Sequence, residues 1–151
     1  MEQLFNDIQN LIADNFPGMS LIDEDYGQLE AIETAEDTYP VTFPCVLISP
    51  AEVEWSNLGG GFQRGNCIVT VRLAIDCYDD THYGSTTEDK AIERMKLSTA
   101  IHRKLQGFVS GVNSPLIRKK TINYSRPHAV KVYEHQYSLM VNDIVTLPGK
   151  A

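Results

Sequence analysis

The first 63 residues of this chain contain no lysine or arginine, although they hold twelve of its 20 acidic side chains. All 13 basic side chains follow, beginning at Arg64, and the whole chain carries a net charge of −7. Neutralising the phosphates of a nucleic acid requires clustered lysine and arginine, and the run Arg118-Lys119-Lys120 is short. We therefore expect no sequence-specific binding of nucleic acid. The asymmetry itself is informative about association with other proteins.

Long hydrophobic runs are also missing. No apolar stretch reaches the roughly 18 residues that a membrane span requires, and the start MEQLFNDIQNLIADNF lacks a basic region followed by a cleavage site. We expect no membrane partner and a cytoplasmic location. A chain of 151 residues is expected to form a single domain, 1–151, with a core that needs no metal or disulfide.

Cysteine is scarce and lacks the spacing of a metal site. Cys45, Cys67 and Cys77 lie in apolar runs, which is typical of buried free thiols. The nearest approach to a metal-binding cluster is DCYDDTH, with Asp76, Asp79, Asp80 and His82. These residues could hold a divalent cation or a small molecule, but a solvated loop has the same composition. We expect no metal and no cofactor, and because no catalytic motif is present, no catalytic residues and no enzyme.

Hydrophobic periodicity predicts two amphipathic helices and four main strands. The helices cover about 4–16 and 85–108, with Ser85 and Glu88 at capping-box spacing and Gly107 as the C-terminal cap. The predicted strands are 45–48, 66–78, 116–124 and 129–141, and the strict alternation in 66–78 is the clearest signal. This order predicts an α+β fold, a mainly antiparallel sheet with a long β-hairpin and two helices packed on one face.

The core is expected between the most strongly alternating strand and both helices. Its predicted members are Val69, Val71, Leu73, Ile75, Ile101, Leu105, Leu4, Ile8 and Leu11, and Met95 belongs to the apolar stripe of the second helix. Outside the core, we expect an acidic loop or arm at 19–39, with a short strand near Leu21-Ile22, and a frayed tail at 142–151.

The stretch NLGGGFQRGN, residues 57–66, raises the question of a phosphate-binding loop. Such a loop is followed by a helix whose amides point at the anion, whereas here a strand follows and no Gly-Lys-Ser/Thr is present. We instead predict a flexible hairpin tip at 57–65 that orders on contact with another protein. Its candidate interaction residues are Gly59, Gly60, Gly61, Phe62, Gln63, Arg64 and Gly65. An idle turn remains the alternative.

The order of these elements resembles one known family. It is carried by the N-terminal helix, YPVTFPCVLI, the glycine-rich hairpin, VTVRLAIDCYDD, STTEDKAIERMKLSTAIHRKL and the final VYEHQYSLMVND. Over about 3–143 the chain resembles the tail terminator, or tail-completion, proteins of long-tailed bacteriophages and prophages.

The resemblance implies a structural virion protein that assembles in the host cytoplasm and then resides in the tail. Its expected partners are copies of itself in a hexameric ring, with a monomer as the free form, and the tail-tube and head-connector proteins. A closed ring uses one surface against a different surface of its neighbour, which an acidic and a basic half could supply. Two alternatives remain. One is another head–tail or conjugation-module assembly protein, and the other is a small-molecule or metal-binding domain that uses Asp79, Asp80 and His82.

Overall fold

The computed structural model describes residues 1–32, 41–49, 52–78 and 81–145. In chain order the elements are α1 (Glu2–Asn15), β1 (Leu21–Glu24), α2 (Gln28–Ala31), β2 (Cys45–Ile48), β3 (Glu52–Gly59), β4 (Phe62–Asp76), α3 (Asp89–Leu105), β5 (Ile117–Arg126) and β6 (Val130–Ile144). Within these ranges no helix is long and apolar enough to cross a membrane. The predicted α+β class is confirmed.

A six-stranded sheet organises the fold. Its strands lie in the order β1-β2-β4-β6-β5. Strand β3 pairs with the first half of β4, on the same side as β2, which pairs with the second half. Only the β1–β2 pair is parallel among the described strands; the others are antiparallel. The longest pairing runs without interruption from Phe62↔Ile144 to Asp76↔Val130, so β4 and β6 form the centre of the sheet.

One face of the sheet, here called the helix face, packs against α1 and α3. Because alternate residues of a strand point to opposite faces, Val69, Val71 and Leu73 of β4 all reach this core. The helices contribute Leu4, Ile8, Ile12, Ile101 and Leu105, and Ile75 and Leu11 pack partly buried against them. The predicted core is therefore confirmed.

The opposite face, here called the back face, has a second cluster that the sequence analysis missed. It contains Leu29, Cys45, Leu47, Ala74, Val130 and Val132. Leu29 belongs to the one-turn helix α2, which lies where a loop or arm was predicted, whereas β1 confirms the short strand expected near Leu21-Ile22. Residues 33–39 lie outside the described residues.

Helix α3, the second of the two predicted helices, starts later than predicted. It begins at Asp89 rather than near Ser85, and no side chain caps it. Glu88 does not complete a capping box, because its carboxylate accepts a hydrogen bond from the amide of Gly84 at 2.7 Å. Met95 is exposed instead of buried. The predicted end is confirmed, since Gly107 follows the helix with a φ of 80°.

Candidate functional site

The glycine-rich segment is the turn of a regular hairpin rather than a nine-residue flexible tip. Strands β3 and β4 remain paired up to Gly59↔Phe62, which leaves only Gly60 and Gly61 between them. Both have positive φ, 64° and 86°, as a tight hairpin turn requires. The predicted extent of the tip, 57–65, is therefore wrong, because only Gly60 and Gly61 lie between the paired residues. The proposed contact role of these residues is a separate matter and stays a prediction.

A bulge precedes the turn. The register shifts between Asn57 and Gly59, and the side-chain oxygen of Asn57 accepts a hydrogen bond from the Gly59 amide at 3.2 Å. Leu58 is the extra residue, and 58% of its surface is exposed. Bulges redirect a side chain at the end of a ladder. Here the redirected side chain is that of Leu58, which is exposed to solvent.

Leu58 belongs to an apolar group at this end of the sheet, here called the apolar tip. Its other members are Phe62, Ile144 and Val145, with Phe62 49% and Ile144 66% exposed. Phe62 and Ile144 are directly paired neighbours, and the Val145 amide donates to the Gly61 carbonyl at 2.8 Å. Clustered exposed apolar side chains are typical of an interaction site.

The end of β6 thus completes the tip. Residues 142–144 were predicted to belong to a frayed tail, but they pair with β4 through Ile144. Arg64 also donates from Nε to the side-chain oxygen of Asn142 at 3.2 Å. The positions from 146 onward lie outside the described residues. Sequence reasoning missed Ile144 and Val145 because only the sheet register brings them beside the glycines.

The predicted interaction residues divide between the two faces of the hairpin. Phe62 and Arg64 share the back face, whereas Gln63 and Gly65 alternate onto the helix face. Gly65 is needed for close packing rather than flexibility. A Cβ at this position would overlap Cγ1 of Val53 and lie 3.0 Å from Cε3 of Trp55. The contact role of the seven residues from Gly59 to Gly65 stays a prediction.

A solved chain shares this fold. It comes from the structure described as "Virion of native gene transfer agent (GTA) particle", and it superposes with a TM-score of 0.54 at 13% sequence identity. The likeness covers 91% of this chain and 91% of that chain, so the shared feature is the whole fold. No protein-family model matches the chain, and no curated protein matches it in sequence.

A buried polar cluster joins α3 to the sheet. The hydroxyl of Ser98 lies 2.8 Å from Nε2 of His135, and Thr121 Oγ1 lies 3.1 Å from Nδ1 of the same ring. His102 Nδ1 lies 3.0 Å from the Tyr137 hydroxyl. Burial, reinforced by the positive charge of Arg118, lowers the pKa of His135 to about 4, so this imidazole is neutral at physiological pH.

Ser98 and His135 have the spacing of a nucleophile and its base. Such a pair acts only when substrate reaches the hydroxyl and a third group orients the base. Only 4% of His135 is exposed, and its second ring nitrogen faces a neutral hydroxyl. We interpret the cluster as a structural contact that holds α3 against the sheet. The ring of His102 stacks on that of Tyr137.

A buried arginine on the back face forms ion pairs with Asp25 and with Glu30 of α2. Arg72 binds Asp25 in a bidentate manner, with Nε–Oδ2 at 2.6 Å and Nη2–Oδ1 at 2.9 Å. It also donates to Glu30 at 2.8 Å and to the Tyr124 hydroxyl at 3.1 Å. Burial opposes its charge, but the Glu30 and Asp25 carboxylates outweigh burial and raise the pKa of Arg72. This network explains why residues 25–31 are ordered despite their acidity.

The acidic loop considered as a metal site lies partly outside the described residues. Asp79 and Asp80 are not described, so their arrangement around His82 stays untested. In the part of the chain that the structure describes, no group of three histidine, cysteine or carboxylate side chains could hold a metal ion. The cysteines are free, and burial raises the pKa of the Cys45 thiol to about 12, which keeps it protonated and unreactive.

Proposed function

We propose that this chain is a structural assembly protein of a phage-like particle, and that it terminates the tail. In this role, six copies form a ring on the last ring of the tail tube and present a surface to the head connector. The protein assembles in the cytoplasm of its host, which carries the phage or prophage, and then remains in the virion. The fold likeness to a chain of a gene transfer agent virion, over 91% of both chains, supports this proposal.

The observation that carries the proposal is the apolar tip. It lies at the end of a sheet extension in which β3, β4 and β6 are hydrogen-bonded to one another. Such an extension holds Leu58 and Phe62 in fixed positions, so little conformational entropy is lost on contact. An apolar centre with Arg64 beside it has the composition of a protein interface, which suits stacking on a tube or connector protein.

We further propose that the protein has no enzymatic activity. Ser98 and His135, which have the spacing of a nucleophile and its base, are both buried and in contact with each other. The apolar tip offers contact area without titratable chemistry. Both features suit a protein whose work is binding.

The test replaces the apolar tip with a polar one in a particle-producing strain that lacks the gene. The variant Leu58→Ser/Phe62→Ser/Ile144→Ser changes exposed side chains, so the fold should be retained, as circular dichroism will verify. We expect tails that fail to complete or to join heads. Tyr83→Ser is the control, since Tyr83 is 98% exposed and lies in the segment between β4 and α3. Normal particles with the polar tip would reject the proposed role of this surface.

A further inference from the structure

An open groove lies beside the N-terminal half of α1, here called the α1 groove. Its volume is about 420 Å³. The half-buried Phe5 and the 47% exposed Met1 form part of its lining. Its floor consists of side chains that also belong to the core, namely Leu4, Ile8, Ile48 and Val69. An apolar groove of this kind can accept the apolar face of a helix from another molecule.

The rim of the α1 groove is acidic. Glu2 and Glu24 line it, and both are exposed. The Glu2 carboxylate lies 3.3 Å from the amino terminus. Since the first 63 residues contain no lysine or arginine, no basic side chain of this segment neutralises the rim. A helix that presents basic groups beside an apolar side chain would complement both the rim and the floor.

The outer surface of α3, here called the α3 patch, has this composition. Ile92 and Met95 are 52% and 55% exposed, and the exposed Lys96 and Arg103 adjoin them on one continuous surface. Methionine adapts its shape to an irregular apolar surface. The α3 patch is therefore a convex apolar surface with basic groups, and the α1 groove is a concave one with acidic groups.

The groove and the patch lie on opposite sides of the helix layer. Gln9 of α1 donates from Nε2 to the Ile22 carbonyl of β1 at 2.9 Å, and Phe5, one turn earlier, shares this side of α1. The groove therefore lies on the β1 side of α1. On α3, Leu97 lies beside Pro44, which precedes β2. The α3 patch is on the other side of that helix, toward β5.

The two surfaces also lie at the same level along the strands. The α3 segment 98–102 contacts His135 and Tyr137 of β6, and these residues oppose Val71 and Val69 of β4. Val69 lines the groove, and Val71 pairs with β2 beside it. A rotation about an axis along the strands keeps this level, so it can bring the patch of one copy to the groove of the next.

We propose that the α3 patch of one copy packs into the α1 groove of a neighbouring copy, with Met95 over the apolar floor. In this contact Lys96 and Arg103 face the acidic rim. The inference rests on the proposed ring and names the contact that would build it. Because the two surfaces differ, each end of a growing assembly keeps one of them free, and addition continues until the ring closes. The contact should weaken as salt screens the exposed charges.

Charge exchange tests the contact with purified full-length protein by sedimentation velocity over a range of concentrations at low salt. Glu2→Lys/Glu24→Lys and Lys96→Glu/Arg103→Glu should each weaken self-association at least about tenfold, since like charges then face each other. The two variants mixed in equal amounts should associate again, because each reversed surface then meets its complement. The variant that carries all four changes should associate for the same reason.

Asp14→Lys/Asp76→Lys is the matched control for net charge. It makes the same change in charge as the groove variant at two exposed positions. Asp14 and Asp76 lie near the ends of α1 and β4 that are distant from the groove. This control should associate as the wild type does, and circular dichroism verifies that every variant is folded.

The outcomes separate this inference from the proposed function. A wild-type chain that stays monomeric at every concentration, or exchanged charges that fail to restore association, would overturn the contact. Complete particles formed by the groove variant or by the patch variant would also reject it, while the virion role would stand. Particles that complete normally without the chain, together with association that depends on the groove and the patch, would reject the virion role alone.

Discussion

Acidification should destabilise the protein through His135. The ring is neutral when folded, with a pKa of about 4, whereas an unfolded chain restores the ordinary value of 6.5. Between these values the unfolded state binds more protons than the folded state, so the free energy of unfolding falls as the pH falls. Stability from this group is fully present above about pH 6.5 and is lost progressively toward pH 4.

The size of the effect follows from the two pKa values. A tenfold change in proton affinity is worth about 1.4 kcal/mol, so lowering the pH from about 7.5 to about 4.5 should cost roughly 2.5 kcal/mol through this ring. Arg118 opposes protonation together with burial, and His102 adds to it. Both ring nitrogens already face hydroxyl groups that can accept a hydrogen bond, so the cost comes from desolvation and repulsion rather than from lost partners.

Urea unfolding followed by circular dichroism at the two pH values measures this effect. His135→Gln retains hydrogen-bonding groups but cannot titrate. On going from the higher to the lower pH, its free energy of unfolding should therefore fall by roughly 2.5 kcal/mol less than that of the wild type. His128→Gln, which replaces an exposed imidazole, should behave as the wild type does. Equal pH dependence in the wild type and in His135→Gln would refute the reasoning.

Three further changes test the packing. Arg72→Met leaves the Asp25 carboxylate, whose side chain is only 12% exposed, without its arginine and should cost about 3–5 kcal/mol in urea unfolding; a loss below about 1 kcal/mol would be typical of a surface pair instead. Leu73→Ala should cost about 2–5 kcal/mol, and an unchanged melting temperature would mean that the core is misplaced. Gly65→Ala should cost about 1–3 kcal/mol through overlap with the β3 side chains. Gly18→Ala, which meets no atom within 4 Å, is its control, and equal melting temperatures for the two would contradict the packing argument.

The sheet centre and both long helices could be predicted because their signals are local. Alternation in 66–78 identifies the buried residues of β4, and this face then requires the apolar stripes of α1 and α3. Beyond the short strand near Leu21-Ile22, the structure of residues 19–32 could not be predicted in this way. Its order depends on Arg72, which is distant in sequence from Asp25 and Glu30. The available signal was an arginine in the middle of an apolar strand, which needs a buried acidic partner.

The hairpin illustrates a different limit. A glycine run suggests mobility, but Gly60 and Gly61 serve a tight turn, and Gly65 makes room for Val53 and Trp55. The hydrophobic pattern around Phe62 did not predict how closely the strands pair up to the turn, because both faces of the hairpin are largely exposed and alternation is weak there. The apolar tip also needs Ile144, a residue that reaches Phe62 only through the register of β4 and β6.

Cryo-electron microscopy of particles from the host of this gene tests the central claim most directly. The account predicts a closed ring of this fold at the head-proximal end of the tail tube, with the apolar tip in contact with a tube or connector protein. Complete particles that contain no copy of the chain would contradict it.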